Sequence, residues 1–227
     1  MLLLAIDSSS VTASAALVRQ RDAAPNDGCG RGILLSEAFI NNGLTHSQTL
    51  APMIDGVLKN AGVLPGELTQ IVVTNGPGSF TGLRIGVASA LGFSAALGIP
   101  CAGVSSLMAA AYGATDHEGT VCAAMDARRG QIYCAMFHVK QTALTRLTAD
   151  QAVDREAFCR QAPPSVCWVG DAALQCAREG DRPSSRPYIS GYGAALCFLN
   201  GHSRPVEQIE YLRVPQAERE RLARGES

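Results

Sequence analysis

Residues 75–86 read NGPGSFTGLRIG, a glycine-rich stretch set between QIVVT (Gln70 to Thr74) and an apolar run that continues to Ile99. The order this predicts is strand, turn, helix. A turn of that kind aims backbone N–H groups at whatever lies ahead of the helix, which favours an anion. What is missing narrows the chemistry. A Walker phosphate loop needs a lysine beside its last glycine, and none is near. A dinucleotide loop needs Gly-x-Gly-x-x-Gly, and Gly76, Gly78 and Gly82 leave the last gap one residue too long. The nucleophile elbow Gly-x-Ser-x-Gly fails because Pro77 stands where the first glycine belongs. The plain alternative is a tight turn and close packing of the helix that follows.

Other reactive side chains form no local pattern either. His46, His117, His138 and His202 are scattered, with no His-x-x-x-His or other metal spacing. The eight cysteines contain no Cys-x-x-Cys pair and mostly lie in apolar segments, so they read as reduced core thiols of a cytosolic protein. Ser79 and Ser105 have no recognisable base. Of 19 basic residues only Lys59 and Lys140 are lysines, which counts against Schiff-base chemistry, and the net charge of −1 supplies no field to hold nucleic acid or an anionic membrane. The apolar start MLLLAI is too short for a signal peptide, and Ile85 to Pro100 falls short of a membrane span.

The elements that must position these residues follow from periodicity. Leu2 to Ile6, Thr12 to Val18 and Leu34 to Ile40 read as three strands, with RDAAPNDGCGRG a hairpin-like loop between the last two. A helix with apolar positions Leu50, Met53, Ile54, Val57, Leu58 and Ala61 follows, with Thr49 as its cap and Pro52 in its first turn. Then come the strand ending at Thr74, a helix from about Phe80 to Leu97, and a short strand and helix in CAGVSSLMAAAYG. The order restarts with Thr120 to Ala127 and Gln131 to Val139, joined by a tight RRG turn. A weak third strand, a helix at Asp154 to Gln161, the strand SVCWVG and helices around Asp171 to Arg178 and Tyr192 to Leu199 complete it. This is one β-β-β-α-β-α plan used twice, the second copy shortened, and the mixed-charge end QAERERLARGES reads as solvated.

Five stretches together, LLLAIDSSS, HSQTLAPMI, NGPGSFTGLRIG, MDARRGQIYCAMF and the near-terminal YLR-x-x-QAERER, resemble the TsaB (YeaZ) family of bacterial tRNA threonylcarbamoyladenosine biosynthesis proteins. The resemblance covers nearly the whole chain. It implies an α/β, actin-like ATPase-type (ASKHA) fold of two ribonuclease-H-like domains, residues 1–104 and 105–214, with a charged tail at 215–227. It further implies a cytoplasmic, non-catalytic subunit without cofactor or metal, supporting a TsaD-like paralogue. That paralogue transfers threonylcarbamoyl from threonylcarbamoyl-AMP to N6 of adenosine 37 in tRNAs reading codons that start with A. The implied partners are TsaD, a second copy of this chain in its absence, a TsaE-like ATPase in the larger complex, and tRNA only indirectly, with no membrane. The paralogue carries two metal-ligating histidines where this chain has Ser106 and Ala110. A stand-alone actin-like ATPase or an M22-type peptidase is the alternative reading.

Two candidate sites follow. ATP-binding members of the fold hold phosphates between two strand turns; here these are Asp7, Ser8 and Ser9 in the first and Asp126, Arg128 and Gly130 in the second, with Gly170 in a remnant of the adenosine turn. The pair reads either as a vestigial nucleotide site or as turn residues bonded to neighbouring backbone. The second site is an interface. LRIGVASALGFSAALG is apolar nearly all round, so something must cover both faces. The expected contact residues are Leu50, Ile54 and Val57 on one helix and Leu83, Gly86, Val87, Ala90 and Leu91 on the other, in a helical bundle with TsaD or a second copy.

Overall fold

The computed structural model describes residues 1–21, 32–42, 45–184, 186 and 188–213; most of the expected loop RDAAPNDGCGRG and the charged end from 214 lie outside the described residues. The first sheet opens with three antiparallel neighbours, β1 (Leu2–Asp7), β2 (Ala13–Gln20) and β3 (Gly32–Ile40). After α1 (His46–Asn60), β4 (Gln70–Thr74) joins parallel to β1, and after α2 (Phe80–Leu97), β5 (Cys101–Val104) joins parallel to β4. The strand order is β3-β2-β1-β4-β5. Both faces of β1 and β4 are covered, which is why LLLAI and IVV read as unbroken apolar runs.

The plan then repeats. After α3 (Ser106–Tyr112), β6 (Gly119–Asp126) and β7 (Gln131–Lys140) form an antiparallel pair. The weak third strand is two short pieces, β8 (Ala143–Arg146) and β9 (Gln151–Asp154), pairing opposite ends of β7. Following α4 (Arg155–Gln161), β10 (Cys167–Val169) runs parallel to β6. A single helical turn, α5 (Ala173–Cys176), leads to β11 (Arg182–Pro183), and α6 (Gly191–Leu199) closes the order. The second sheet is β11-β10-β6-β7-β8.

Three apolar clusters hold the layers together. Between the sheets, α6 packs on β1 and β2 while α3 packs on β6 and β7, burying Leu3, Val18, Leu107, Phe137 and Leu196. α1 and α2 cover the other face of the first sheet with Ile54, Val57 and Val87 against Leu4, Ile6 and Val73. The second sheet carries Trp168 and Phe158 on its outer side.

The start of α1 corrects the sequence reading. The helix begins at His46, with Thr45 at the N-cap position but without a side-chain capping bond, so Thr49 is a buried helical residue and Pro52 lies inside the helix. The His46 ring, 2.9 Å from the Ser10 carbonyl through Nε2, ties the extra turn to the first sheet, a tertiary contact that no local cap signal encodes. The expected helix around Asp171 to Arg178 is likewise shorter, because only the turn at Ala173–Cys176 is helical.

Candidate functional site

The glycines of NGPGSFTGLRIG serve close packing. Ser79 caps α2, its hydroxyl accepting from the Gly82 N–H at 3.3 Å, while its own N–H donates to the Ser9 carbonyl at 2.7 Å. A Cβ on Gly78, Gly82 or Gly86 would come within 3 Å of Ser9 O, Ser8 O and Ser8 Oγ respectively, so only glycine lets α2 lie against the turn after β1. Ser8 Oγ completes the seat by donating to the Gly82 carbonyl at 2.8 Å.

Behind that seat is Asp7, wholly buried. Its Oδ1 accepts from Ser9 Oγ and Thr74 Oγ1, each at 2.6 Å, whereas Oδ2 has no hydrogen-bond partner among the described residues. Burial pushes the carboxyl up to about 6, against the pull of the two hydroxyls.

The expected interface residues are corrected by this packing. Leu50, Ile54, Val57, Leu83, Gly86, Val87 and Ala90 are buried inside the chain itself, where α1 and α2 meet the first sheet; of the eight, Leu91 alone is exposed, at 37%. Gly86, expected among the contact residues, meets the Ser8 hydroxyl instead, and Gly82 meets the Ser8 carbonyl. The outward face of α2 is a different stripe, Thr81, Arg84, Ala88, Leu91, Gly92 and Ala95, at three- and four-residue spacing. A helix apolar nearly all round gives no periodicity that says which face the sheet takes.

Between the two sheets' turns lies a cavity of about 560 Å³. Of the seven expected site residues, Ser9, Asp126 and Arg128 line it, and Asp7, Ser8, Gly130 and Gly170 do not. Gly130 and Gly170 lie in the turns behind it: Arg128, Arg129 and Gly130 all take positive φ (66°, 57° and 73°), and Gly170 at φ 105° packs under the Ala124 backbone. His46, Asp171, Tyr211 and Arg213 also line the cavity, and the sequence reading missed them there. Arg213 donates to the Ala127 carbonyl, and Tyr211 lies 4.9 Å from Phe80, centroid to centroid. Both lie in the near-terminal YLR quoted above, but nothing local ties that stretch to residues 80 or 127; the returning chain does.

The cavity's charges oppose one another. Arg128, Arg129 and Arg213 suit an anion, as do the first N–H groups of α2, which have no intrahelical acceptor. Against them stand Asp126 and Asp171, the latter accepting from the Asp126 N–H at 2.8 Å and pushed up by its burial. Ser106 and Ala110, on α3, are buried in the layer between the sheets. Among the described residues no three His, Cys, Asp or Glu side chains are placed to share a metal.

Comparison with known proteins agrees with this architecture. Residues 41–193, about two thirds of the chain, match the family model described as TsaD, tRNA N6-adenosine threonylcarbamoyltransferase. The tRNA threonylcarbamoyladenosine biosynthesis protein TsaB of Bacillus subtilis is 34% identical over 153 residues, covering 67% of this chain and 62% of that protein. TsaB of Escherichia coli is 39% identical over 94 residues, covering 40% and 41%. The matched stretch thus spans less than two thirds of these relatives' own length. YeaZ from Pseudomonas aeruginosa superposes with a TM-score of 0.71 at 25% identity, covering 94% of this chain and 99% of that one. A second structure from the same organism, described as similar to peptidase YeaZ, gives 0.72 at 27%, covering 93% and 99%. With two ribonuclease-H-like halves, a glycine-seated α2 and these relatives, the chain belongs to the TsaB/YeaZ family, related to TsaD.

Proposed function

We propose that this chain is a non-catalytic subunit in the synthesis of threonylcarbamoyladenosine on tRNA, and that it works by docking a TsaD-like partner on the outward stripe of α2. The observation that carries this reading is the division of α2 into two faces. Gly82, Leu83, Gly86 and Val87 are consumed by the chain's own first sheet and its β1 turn, while Ala88, Leu91, Gly92 and Ala95 form an exposed apolar face of mostly small residues with open space at Gly92. Small residues let a second helix approach closely, and exposed apolar surface rewards that approach.

The partner carries the transfer of threonylcarbamoyl from its adenylate to adenosine 37, and this chain supports it. Ser106 and Ala110 offer no imidazole where the paralogue has metal ligands, and a net charge of −1 suits a subunit that leaves the tRNA to others. A second copy of the chain occupies the same face when the partner is absent, and a TsaE-like ATPase joins the larger cytoplasmic assembly.

The test is to purify Ala88→Arg and Leu91→Arg and run each on size exclusion, alone and mixed with the TsaD of the same organism. Both substitutions stand on the exposed stripe, so circular dichroism should match the parent, while a buried unpaired charge at the contact should abolish association. Folded variants that still recruit TsaD would place the contact elsewhere.

A further inference from the structure

The outer side of the second sheet gathers thiols from four elements. Cys122 on β6, Cys134 on β7 and Cys176 on α5 are buried in the cluster around Trp168, and Cys159 on α4 packs against them from a partly exposed position. Cys122 and Cys134 are a poor match for bonding. In the β6–β7 register Cys134 stands opposite Ala124, so Cys122 is its diagonal neighbour, roughly 7–8 Å away, beyond the usual reach of a disulfide. Cys159 and Cys176 differ. α4 packs on α5, both cysteines belong to the cluster around Trp168, and the Cys159 thiol lies near enough to that of Cys176 to push it up.

We propose that Cys159 and Cys176 form an oxidative modification site, at which a peroxide converts the thiol pair into a disulfide fastening α4 to α5. Cys159 reacts first because it alone of the pair reaches solvent. As its thiolate it attacks one peroxide oxygen; the O–O bond breaks, the other oxygen leaves as hydroxide and becomes water, and Cys159 is left as a sulfenic acid. The Cys176 sulfur then attacks the Cys159 sulfur, the S–O bond breaks, and the departing hydroxide takes the Cys176 proton as a second water. Two thiols have lost two electrons to one peroxide. Cys176 is buried out of reach of the peroxide, and burial and then the neighbouring Cys159 keep its thiol protonated, so it does not react first; the hydroxide leaving Cys159 is the base that takes its proton as it attacks. The bond would sit close to the cleft, because α5 starts two residues after Asp171.

The experiment treats the intact, folded chain with hydrogen peroxide, blocks remaining thiols with iodoacetamide, and maps the peptides by mass spectrometry. The expected product lacks the mass of two hydrogens, carries the cross-link between the Cys159 and Cys176 peptides, and reverts with dithiothreitol. Cys176→Ser should accumulate a dimedone-reactive sulfenic acid at Cys159, and Cys159→Ser should leave Cys176 free for iodoacetamide after unfolding. A cross-link between other cysteines, oxidation of Cys159 without cross-linking in the parent, or an unchanged parent at a dose that oxidises glutathione would each overturn the proposal. Because the decisive readout is on the parent, it does not depend on either variant folding.

Discussion

At the scale of single residues, Asp7 shows what burial does to a carboxyl held by two hydroxyls on one oxygen and nothing on the other. Its proton binds more tightly in the folded chain, with the pKa raised from 3.8 to about 6. The folded state therefore holds more protons than the unfolded one between these values, and stability falls as pH rises through that window. A shift of this size corresponds to roughly 3 kcal/mol. In Asp7→Asn that loss is absent, because the amide does not titrate. Urea denaturation of both proteins between pH 4 and pH 7 should show the difference in stability moving toward the variant by about that amount. A difference that stays flat with pH would mean the carboxyl is not perturbed. The sequence marked Asp7 as a turn residue of a candidate nucleotide site; its burial and its unpaired oxygen come from β4 and α2 folding over it.

At the scale of elements, the glycines of α2 separate two roles that look alike in the sequence. Gly82 faces the Ser8 carbonyl, whereas Gly92 faces open space. Gly82→Ala should push the helix off its seat and cost about 1–3 kcal/mol, as overpacking does. Gly92→Ala should stabilise by about 0.5–1 kcal/mol through helix propensity. Thermal unfolding reads both, a kcal/mol moving the midpoint by about 2–4 °C in a chain of this size. Equal shifts for the two would show that α2 is not seated as described. The same division bears on the interface: a charge at Val57 or Val87 strikes the core, so Val57→Arg reports on folding and not on association, whereas a charge at Ala88 or Leu91 reports on contact.

At the scale of the whole molecule, the segment after α6 ties the two halves together. Arg204 pairs with Gly103 through the backbone at the edge of β5, and its guanidinium reaches Asn75 Oδ1, the Gly76 carbonyl at 2.7 Å and Glu210. Asn75 returns the grip, donating to the carbonyls of Pro205 at 3.0 Å and Gln208 at 3.1 Å, while Val206 is buried in the α1–α2 core. Tyr211 then meets Phe80 and Arg84, and Arg213 reaches the turn after β6. Arg204→Ala should cost about 1–3 kcal/mol by leaving these acceptors unpaired. Limited proteolysis should cut the variant between residues 205 and 213 before the rest of the chain unfolds; protection equal to the parent's would count against the strap. By itself the sequence determined the repeated strand and helix order, the strand–turn–helix at residues 70–97 and, through five stretches, the family, because each is written in local periodicity or contiguous residue types. Which face of α2 is buried, that His46 begins α1, that Tyr211 and Arg213 reach the cleft and that Cys159 meets Cys176 were decided only by the tertiary structure. Those contacts join residues distant in the chain, and their partners are set by how the layers stack.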